Sequence, residues 1–86
     1  MNVRVVISGR NYHAAERLPR QLTLPDGASV DAALQALESL LPDGTRLPAS
    51  CLIAVSGLHL GTLRNHRSQL LRDGDELLVL SPVAGG

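Results

Sequence analysis

Hydrophobic and polar residues alternate at the start of the chain and meet an apolar stretch near its end. In Asn2–Ser8 the β-branched residues at positions 3, 5 and 7 share one parity, and Val6 falls on the other. Such alternation predicts a β-strand with one buried face. Glu76–Leu80 is a second apolar stretch that follows an Asp-Gly turn signal. We predict that these two strands lie side by side at the centre of a sheet.

The middle of the chain changes to a helical period. After Ser29 the apolar residues recur at the spacing i, i+3, i+4, i+7 as far as Leu41. Ser29 is a good N-cap, Asp31 suits the positive end of the helix dipole, and Pro42 marks the end of the helix. The other segments are predicted as a helical turn at Tyr12–Arg17, strands at Gln21–Leu24 and Cys51–Val55, a short strand at Leu58–His59 and a loop at Gly61–Gln69.

This order of elements predicts the fold class. Strands, one main helix and further strands indicate an α+β domain, with one mixed sheet of four to five strands packed on one helix. The 86 residues are enough for a single domain with a modest core. We therefore expect one domain over residues 1–86, in which residues 81–86 form a flexible tail after the last strand.

Composition excludes several classes of function. Lys and Arg total eight, Asp and Glu also total eight, and Phe and Trp are absent, so a nucleic-acid platform of basic and stacking side chains is not expected. No apolar run approaches the roughly 20 residues of a membrane span. The single cysteine, Cys51, allows no internal disulfide, so we expect a cytoplasmic protein in which Cys51 is a small core residue. His13, His59 and His66 lack the spacing of metal ligands, so we expect no metal site.

Apolar residues on both parities of the strands predict a docking surface. One helix covers only one face of a sheet, yet Val6, Leu78 and Leu80 alternate with equally apolar neighbours. Exposed apolar patches usually mark partner sites. The alternative is that the loop at Gly61–Gln69 folds over this face and completes the core, as loops of small domains often do. Its Arg64, His66 and Arg67 indicate a solvated loop or, alternatively, one that steers docking to an acidic partner. The sequence does not fix which parity faces the helix.

The end of the chain carries a recognisable motif. Asp73-Gly74-Asp75-Glu76, interpreted locally as an ordinary hairpin turn, is followed after the strand by Ser81-Pro82-Val83-Ala84-Gly85-Gly86. This ending resembles the "dGDEv…PPV(s/a)GG" ending of the ubiquitin-like sulfur carriers of the MoaD/ThiS family. The Pro-Val before the glycines is most similar to the molybdopterin branch, the small subunits of molybdopterin synthase. Two departures are Ser81, where a proline is usual, and Ser56-Gly57, where that branch often has Val-Asn.

The resemblance implies a β-grasp fold and a specific chemistry. The carboxylate of Gly86 would be adenylated by an E1-like enzyme that uses ATP, and a sulfurtransferase would supply the sulfur for a thiocarboxylate. The large subunit of molybdopterin synthase would then receive that sulfur. Gly85 would let the backbone enter a narrow channel without a Cβ clash, and residues Ser81, Pro82, Val83 and Ala84 would contact the partners. The protein would bind no cofactor and would not be an enzyme by itself.

Other functions share the same first step. A sulfur carrier for thiamine or cysteine synthesis also requires an adenylated C-terminus, and so does a ubiquitin-like modifier that is conjugated through Gly86. A binding module whose tail is never activated is a further alternative. The sequence alone leaves these alternatives open.

Overall fold

The computed structural model describes residues 1–8, 18–41 and 47–81. The predicted helical turn at Tyr12–Arg17 and the tail residues from Pro82 onward lie outside these ranges. Within them the chain forms one helix and five strands. Their bounds are β1 Asn2–Ser8, β2 Gln21–Thr23, α1 Val30–Ser39, β3 Leu52–Val55, β4 Leu58–Thr62 and β5 Glu76–Leu80.

The five strands form one mixed sheet in the order β2-β1-β5-β3-β4. β1 and β5 are parallel, and the other three pairings are antiparallel. The prediction that the first and last strands are adjacent is confirmed, and β5 is the central strand. One helix with a mixed five-stranded sheet confirms the α+β prediction and is compatible with a β-grasp.

Local signals explain α1. The Ser29 hydroxyl accepts a hydrogen bond from the Ala32 amide at 3.2 Å, which satisfies one of the free N–H groups of the first turn. Asp31 lies in that turn, and Leu40 forms the C-cap. Most of the apolar residues that follow the helical spacing are buried, namely Val30, Ala33, Leu34, Leu37 and Leu41. The prediction is wrong for Leu40, which forms the C-cap after the last helical residue and is 51% exposed.

The core fixes the parity that the sequence left open. Leu77 and Val79 of β5 are fully buried, together with Val3 of β1 and Ile53 of β3. Ile53 lies opposite Val79 in the sheet. Because successive strand residues point to opposite faces, Leu78 and Leu80 lie on the face away from α1.

β4 is longer than predicted, because Gly61 and Thr62 belong to the strand and not to the loop that follows it. Gly61 has φ +131°, and a Cβ there would lie 2.5 Å from the carbonyl oxygen of Asn65. The Thr62 amide donates to that oxygen at 2.9 Å. The chain therefore folds back against β4 at a distance that only glycine allows.

The Asp-Gly turn precedes β5, but the hairpin interpretation is wrong. Leu70 forms a bridge with Ser29 and does not pair with β5. The Asp73 carboxylate instead accepts a hydrogen bond from the backbone amide of Asn2 at 2.7 Å. Asp75 accepts from the Ser56 hydroxyl with one carboxylate oxygen and from the Arg72 amide with the other, both at 2.8 Å. The turn therefore ties the start of β5 to β1 and to the β3–β4 turn.

Candidate functional site

The outer sheet face is the side away from α1, defined here by Val6, Leu52, Ala54, Leu78 and Leu80. Val6, Leu78 and Ala54 lie opposite one another across three strands, and Leu52 lies opposite Leu80. Val6, Leu78 and Leu80 are half-buried, and Leu52 is 41% exposed. Val6, Leu78 and Leu80, which sequence analysis singled out, therefore lie together in one apolar patch. Such a patch, on one face of a small sheet, is suited to contact with another protein.

Leu52 is a member of this patch that sequence analysis missed. Its segment is apolar at every position, so the pattern did not say which residues face α1. The side chains of Ile53 and Val55 are buried on the face of the sheet that packs on α1. Leu52 has the same parity as neither of them, so it lies on the outer sheet face, opposite Leu80. Leu52 could be assigned to the outer sheet face only because it pairs with Leu80, and that pairing requires the register of β3 against β5, which the sequence pattern does not contain.

The loop after β4 lies on the helix side and not over the outer sheet face. The Nε2 atom of His66 is 2.7 Å from Asp31 Oδ1 at the start of α1, and its Nδ1 atom is 2.9 Å from the Thr62 carbonyl oxygen. The His66 side chain is only 9% exposed. The interpretation as a solvated loop is therefore wrong for His66, whereas Arg64 and Arg67 are exposed.

The outer sheet face changes from polar to apolar from the start of β5 to its end. At the start of β5, Arg4 and Glu76 form an exposed ion pair at 4.0 Å. They line a polar depression of about 380 Å³ with Arg20, Asp73 and others. Two arginines are balanced there by two carboxylates, so the depression has no net charge to select an ion. The apolar end of the face is the end at which the chain leaves β5.

Ser81 is the last described residue and directly precedes the tail residues Pro82–Gly86. We therefore call Ser81 the root of the tail. Its amide donates to the carbonyl oxygen of Ser8 at 2.7 Å, and the residue is 8% exposed. Burial raises the pKa of the Cys51 thiol, and the neighbouring Ser81 side chain offsets a smaller part of that rise. Cys51 is 1% exposed, as expected of a core residue and not of a reactive thiol.

The remaining predicted site residues, Pro82, Val83, Ala84, Gly85 and Gly86, lie outside the described residues. Across residues 1–8, 18–41 and 47–81, no group of three or more His, Cys, Asp or Glu side chains could hold a metal ion. In the same ranges no helix is long and apolar enough to cross a membrane.

Comparison with known proteins agrees with the motif at the end of the chain. No curated protein sequence matches this chain. A scan of protein families matches residues 5–86 to the ThiS family. Proteins of that family are small, ubiquitin-like, non-catalytic sulfur carriers that act with E1-like adenylating enzymes and sulfurtransferases. The match spans α1, strands β2 to β5 and the second half of β1, so this chain belongs to the ThiS family of sulfur carriers.

Proposed function

We propose that this protein is the sulfur-carrying small subunit of a molybdopterin synthase. The observation that carries the proposal is the ending Ser81-Pro82-Val83-Ala84-Gly85-Gly86, in a chain that matches the ThiS family over residues 5–86. Family membership supports sulfur transport in general, and the Pro-Val before the glycines supports the molybdopterin pathway.

The reacting atom is the carboxylate carbon of Gly86. A free carboxylate is a poor electrophile, so one of its oxygens first attacks the α-phosphate of ATP, which releases pyrophosphate and forms an acyl-adenylate. A hydrosulfide ion then attacks the carbonyl carbon and displaces AMP, and loss of the remaining proton from sulfur leaves the thiocarboxylate. In an extended conformation the five residues from Pro82 reach about 17 Å. The protein supplies this atom, and the catalytic groups and the nucleotide site belong to its partners.

The outer sheet face is the docking surface in this proposal. Its apolar end, with Val6, Leu52, Leu78 and Leu80, adjoins Ser81, where the tail begins. A partner that covers this end of the sheet also receives the tail. We propose that the adenylating enzyme and the synthase large subunit bind there in turn, which orders activation before transfer. The free thiol of Cys51 supports a reducing, cytoplasmic setting.

The intact mass of the protein purified from its native host tests the sulfur chemistry. We expect a fraction whose mass corresponds to one oxygen replaced by sulfur, and deletion of Gly86 should abolish it. Conjugates of higher mass in a denaturing gel would instead indicate a protein modifier. An unmodified terminus that no host enzyme adenylates would refute the proposal. Recovery of a thiamine or cysteine pathway enzyme, and not a synthase large subunit, by pull-down would move the carrier to that pathway.

A further inference from the structure

Charged side chains occupy the outer sheet face beside the start of β5. Arg4 and Glu76 lie opposite each other in the sheet, and they share the parity of Val6 and Leu78, which face away from α1. Gln21 lies opposite Arg4 on the other side of β1. We call Arg4, Gln21 and Glu76 the charged end of the outer sheet face. It adjoins the apolar end directly, because outward positions on one strand are about 7 Å apart.

The ion pair between Arg4 and Glu76 contributes little to the fold. The guanidinium and the carboxylate are 4.0 Å apart, which is longer than a hydrogen bond, and the two side chains are 74% and 47% exposed. Exposed ion pairs of this kind add little to stability. The start of β5 is held instead by Asp75, whose carboxylate accepts from the Ser56 hydroxyl and from the Arg72 backbone amide. Both charges of the pair are therefore accessible to another molecule.

The apolar end of the outer sheet face is too small to be a stable interface by itself. Two outward positions on three adjacent strands cover about 200 Å², with about 4.8 Å between strands and about 7 Å between positions. A specific interface covers about 800 Å² on each partner. A partner seated on the apolar end must therefore extend beyond it. Along β1 and β5 the outer sheet face continues from this end to Arg4 and Glu76.

The charged end supplies a direction that the apolar end lacks. Apolar burial is non-directional, so contacts with Val6 and Leu78 would not fix how a partner is rotated on the sheet. Arg4 lies on β1 and Glu76 on β5, so a positive and a negative charge stand on neighbouring strands. A partner rotated by half a turn would bring like charges together, which is strongly unfavourable. The two charges therefore distinguish one orientation of a partner from the other, although they cancel in sum.

We propose that Arg4 and Glu76 form an orientation site, at which a partner protein places a carboxylate against the Arg4 guanidinium and a basic side chain against the Glu76 carboxylate. This inference rests on the proposed function, because it assumes that a partner covers the outer sheet face. A guanidinium binds a carboxylate through two parallel hydrogen bonds, so the contact at Arg4 sets an angle as well as a position. Orientation matters because β5 runs from Glu76 toward Ser81, the root of the tail.

The test measures the Kd of the full chain for the adenylating enzyme purified from the host, by isothermal titration. In about 0.1 M salt, Arg4→Glu and Glu76→Arg should each raise the Kd about tenfold or more, because each brings like charges together. The double variant Arg4→Glu/Glu76→Arg should bind at least as weakly as either single variant, although it restores the ion pair and the net charge. All three losses should shrink in about 1 M salt, where charges are screened within about 3 Å.

Arg67→Glu and Glu38→Arg are the matched controls. They make the same changes of charge in the loop after β4 and on α1, which both lie on the other side of the sheet. We expect both to bind near the wild-type Kd. Circular dichroism should show melting temperatures near that of the wild type for all variants, because the altered pair is exposed. If a reversed charge perturbs folding, Arg4→Gln and Glu76→Gln replace it, and each should still weaken binding.

Several results would overturn the orientation site and leave the proposed function standing. They are an unchanged Kd for the single variants, wild-type affinity of the double variant, equal losses in the two controls, and losses that do not shrink at high salt. A wild-type chain that sediments as a dimer, and that Arg4→Glu converts to a monomer, would also overturn it by assigning the charged end to a second copy.

The outcomes with the wild-type chain separate the two proposals. If the enzyme binds the wild type and does not adenylate it, the proposed function is wrong, and the variants still decide whether Arg4 and Glu76 orient the complex. If neither this enzyme nor the synthase large subunit binds the wild type, both proposals are wrong.

Discussion

Leu52→Asp gives the sharpest test of the outer sheet face as a docking surface. Leu52 is 41% exposed and lies opposite Leu80, beside the root of the tail. If a partner covers it, the substitution forfeits about 1 kcal/mol of apolar burial, since less than half of the side chain remains to be buried. The new carboxylate must also be desolvated, which costs about 1–3 kcal/mol or more. The sum, about 2–4 kcal/mol, predicts a Kd roughly 30- to 1,000-fold higher.

Leu70→Asp is the matched control for this change. It introduces the same charge at a leucine that is 65% exposed, and Leu70 pairs with Ser29 at the start of α1 and not with the outer sheet face. Leu52→Asp should also destabilise the fold by about 1–2 kcal/mol, because more than half of Leu52 is already buried. Binding must therefore be measured well below the melting temperature of both variants, with folding checked by circular dichroism.

The assay is isothermal titration of each variant with the adenylating enzyme and, separately, with the synthase large subunit. We expect Leu52→Asp to weaken both interactions and Leu70→Asp to leave both near the wild-type Kd. We also expect the two partners to compete for the wild-type chain. Wild-type affinity of folded Leu52→Asp for both partners would refute the assignment of this face. Equal losses with Leu52→Asp and Leu70→Asp would show that added negative charge, and not the location, weakens binding.

The other predictions concern the tail, a close backbone contact and the buried thiol. Deletion of Gly86 should leave the melting temperature unchanged and abolish pyrophosphate exchange, and Gly85→Ala should reduce exchange more than it reduces stability; retained exchange would contradict either statement. Gly61→Ala should destabilise the fold by about 2–4 kcal/mol in urea denaturation, because its Cβ would lie 2.5 Å from the Asn65 oxygen; a loss below that range would mean that the loop relaxes easily. Burial raises the pKa of the Cys51 thiol, so the folded state keeps this proton to higher pH than the unfolded state. The free energy of unfolding should then fall as pH rises above the usual thiol range, and Cys51→Ala should remove that part of the fall; an identical pH profile for both proteins would contradict it.

Local signals were sufficient for the helix and for the central strand pair. Ser29 caps α1 through a contact only three residues away, and the apolar period runs without interruption to the end of the helix. β1 is rich in β-branched residues and β5 is apolar after Glu76, and the centre of the sheet is the position that buries most surface. For these elements the sequence pattern and the final packing favour the same structure, which makes such predictions reliable.

Long-range contacts account for the features that could not be predicted. Asp73 pairs with Asn2 across 71 residues, so a motif that resembles a hairpin turn instead joins the two ends of the described chain. His66 reaches Asp31 across 35 residues, which places the loop on the helix side. Neither contact leaves a periodic trace in the sequence. The parity of β3 and β5 had the same cause, because apolar residues at consecutive positions fit either face equally well.

β5 is held by hydrogen bonds at both of its ends, which affects how a carrier would present its tail. At the start, the Asp75 carboxylate accepts from the Ser56 hydroxyl and from the Arg72 backbone amide. At the end, the backbone amide of Ser81 donates to the Ser8 carbonyl oxygen. Between these points β5 pairs with a strand on each side, and it carries Leu78 and Leu80 on its outer face. Leu78 and Leu80 therefore lie on one strand, which Ser81 directly follows, and this strand cannot shift without disrupting both of its neighbours. A partner that binds Leu78 and Leu80 would always meet Ser81 at the same distance from them, so the docking surface would set the point from which Pro82–Gly86 continue toward the partner's active site.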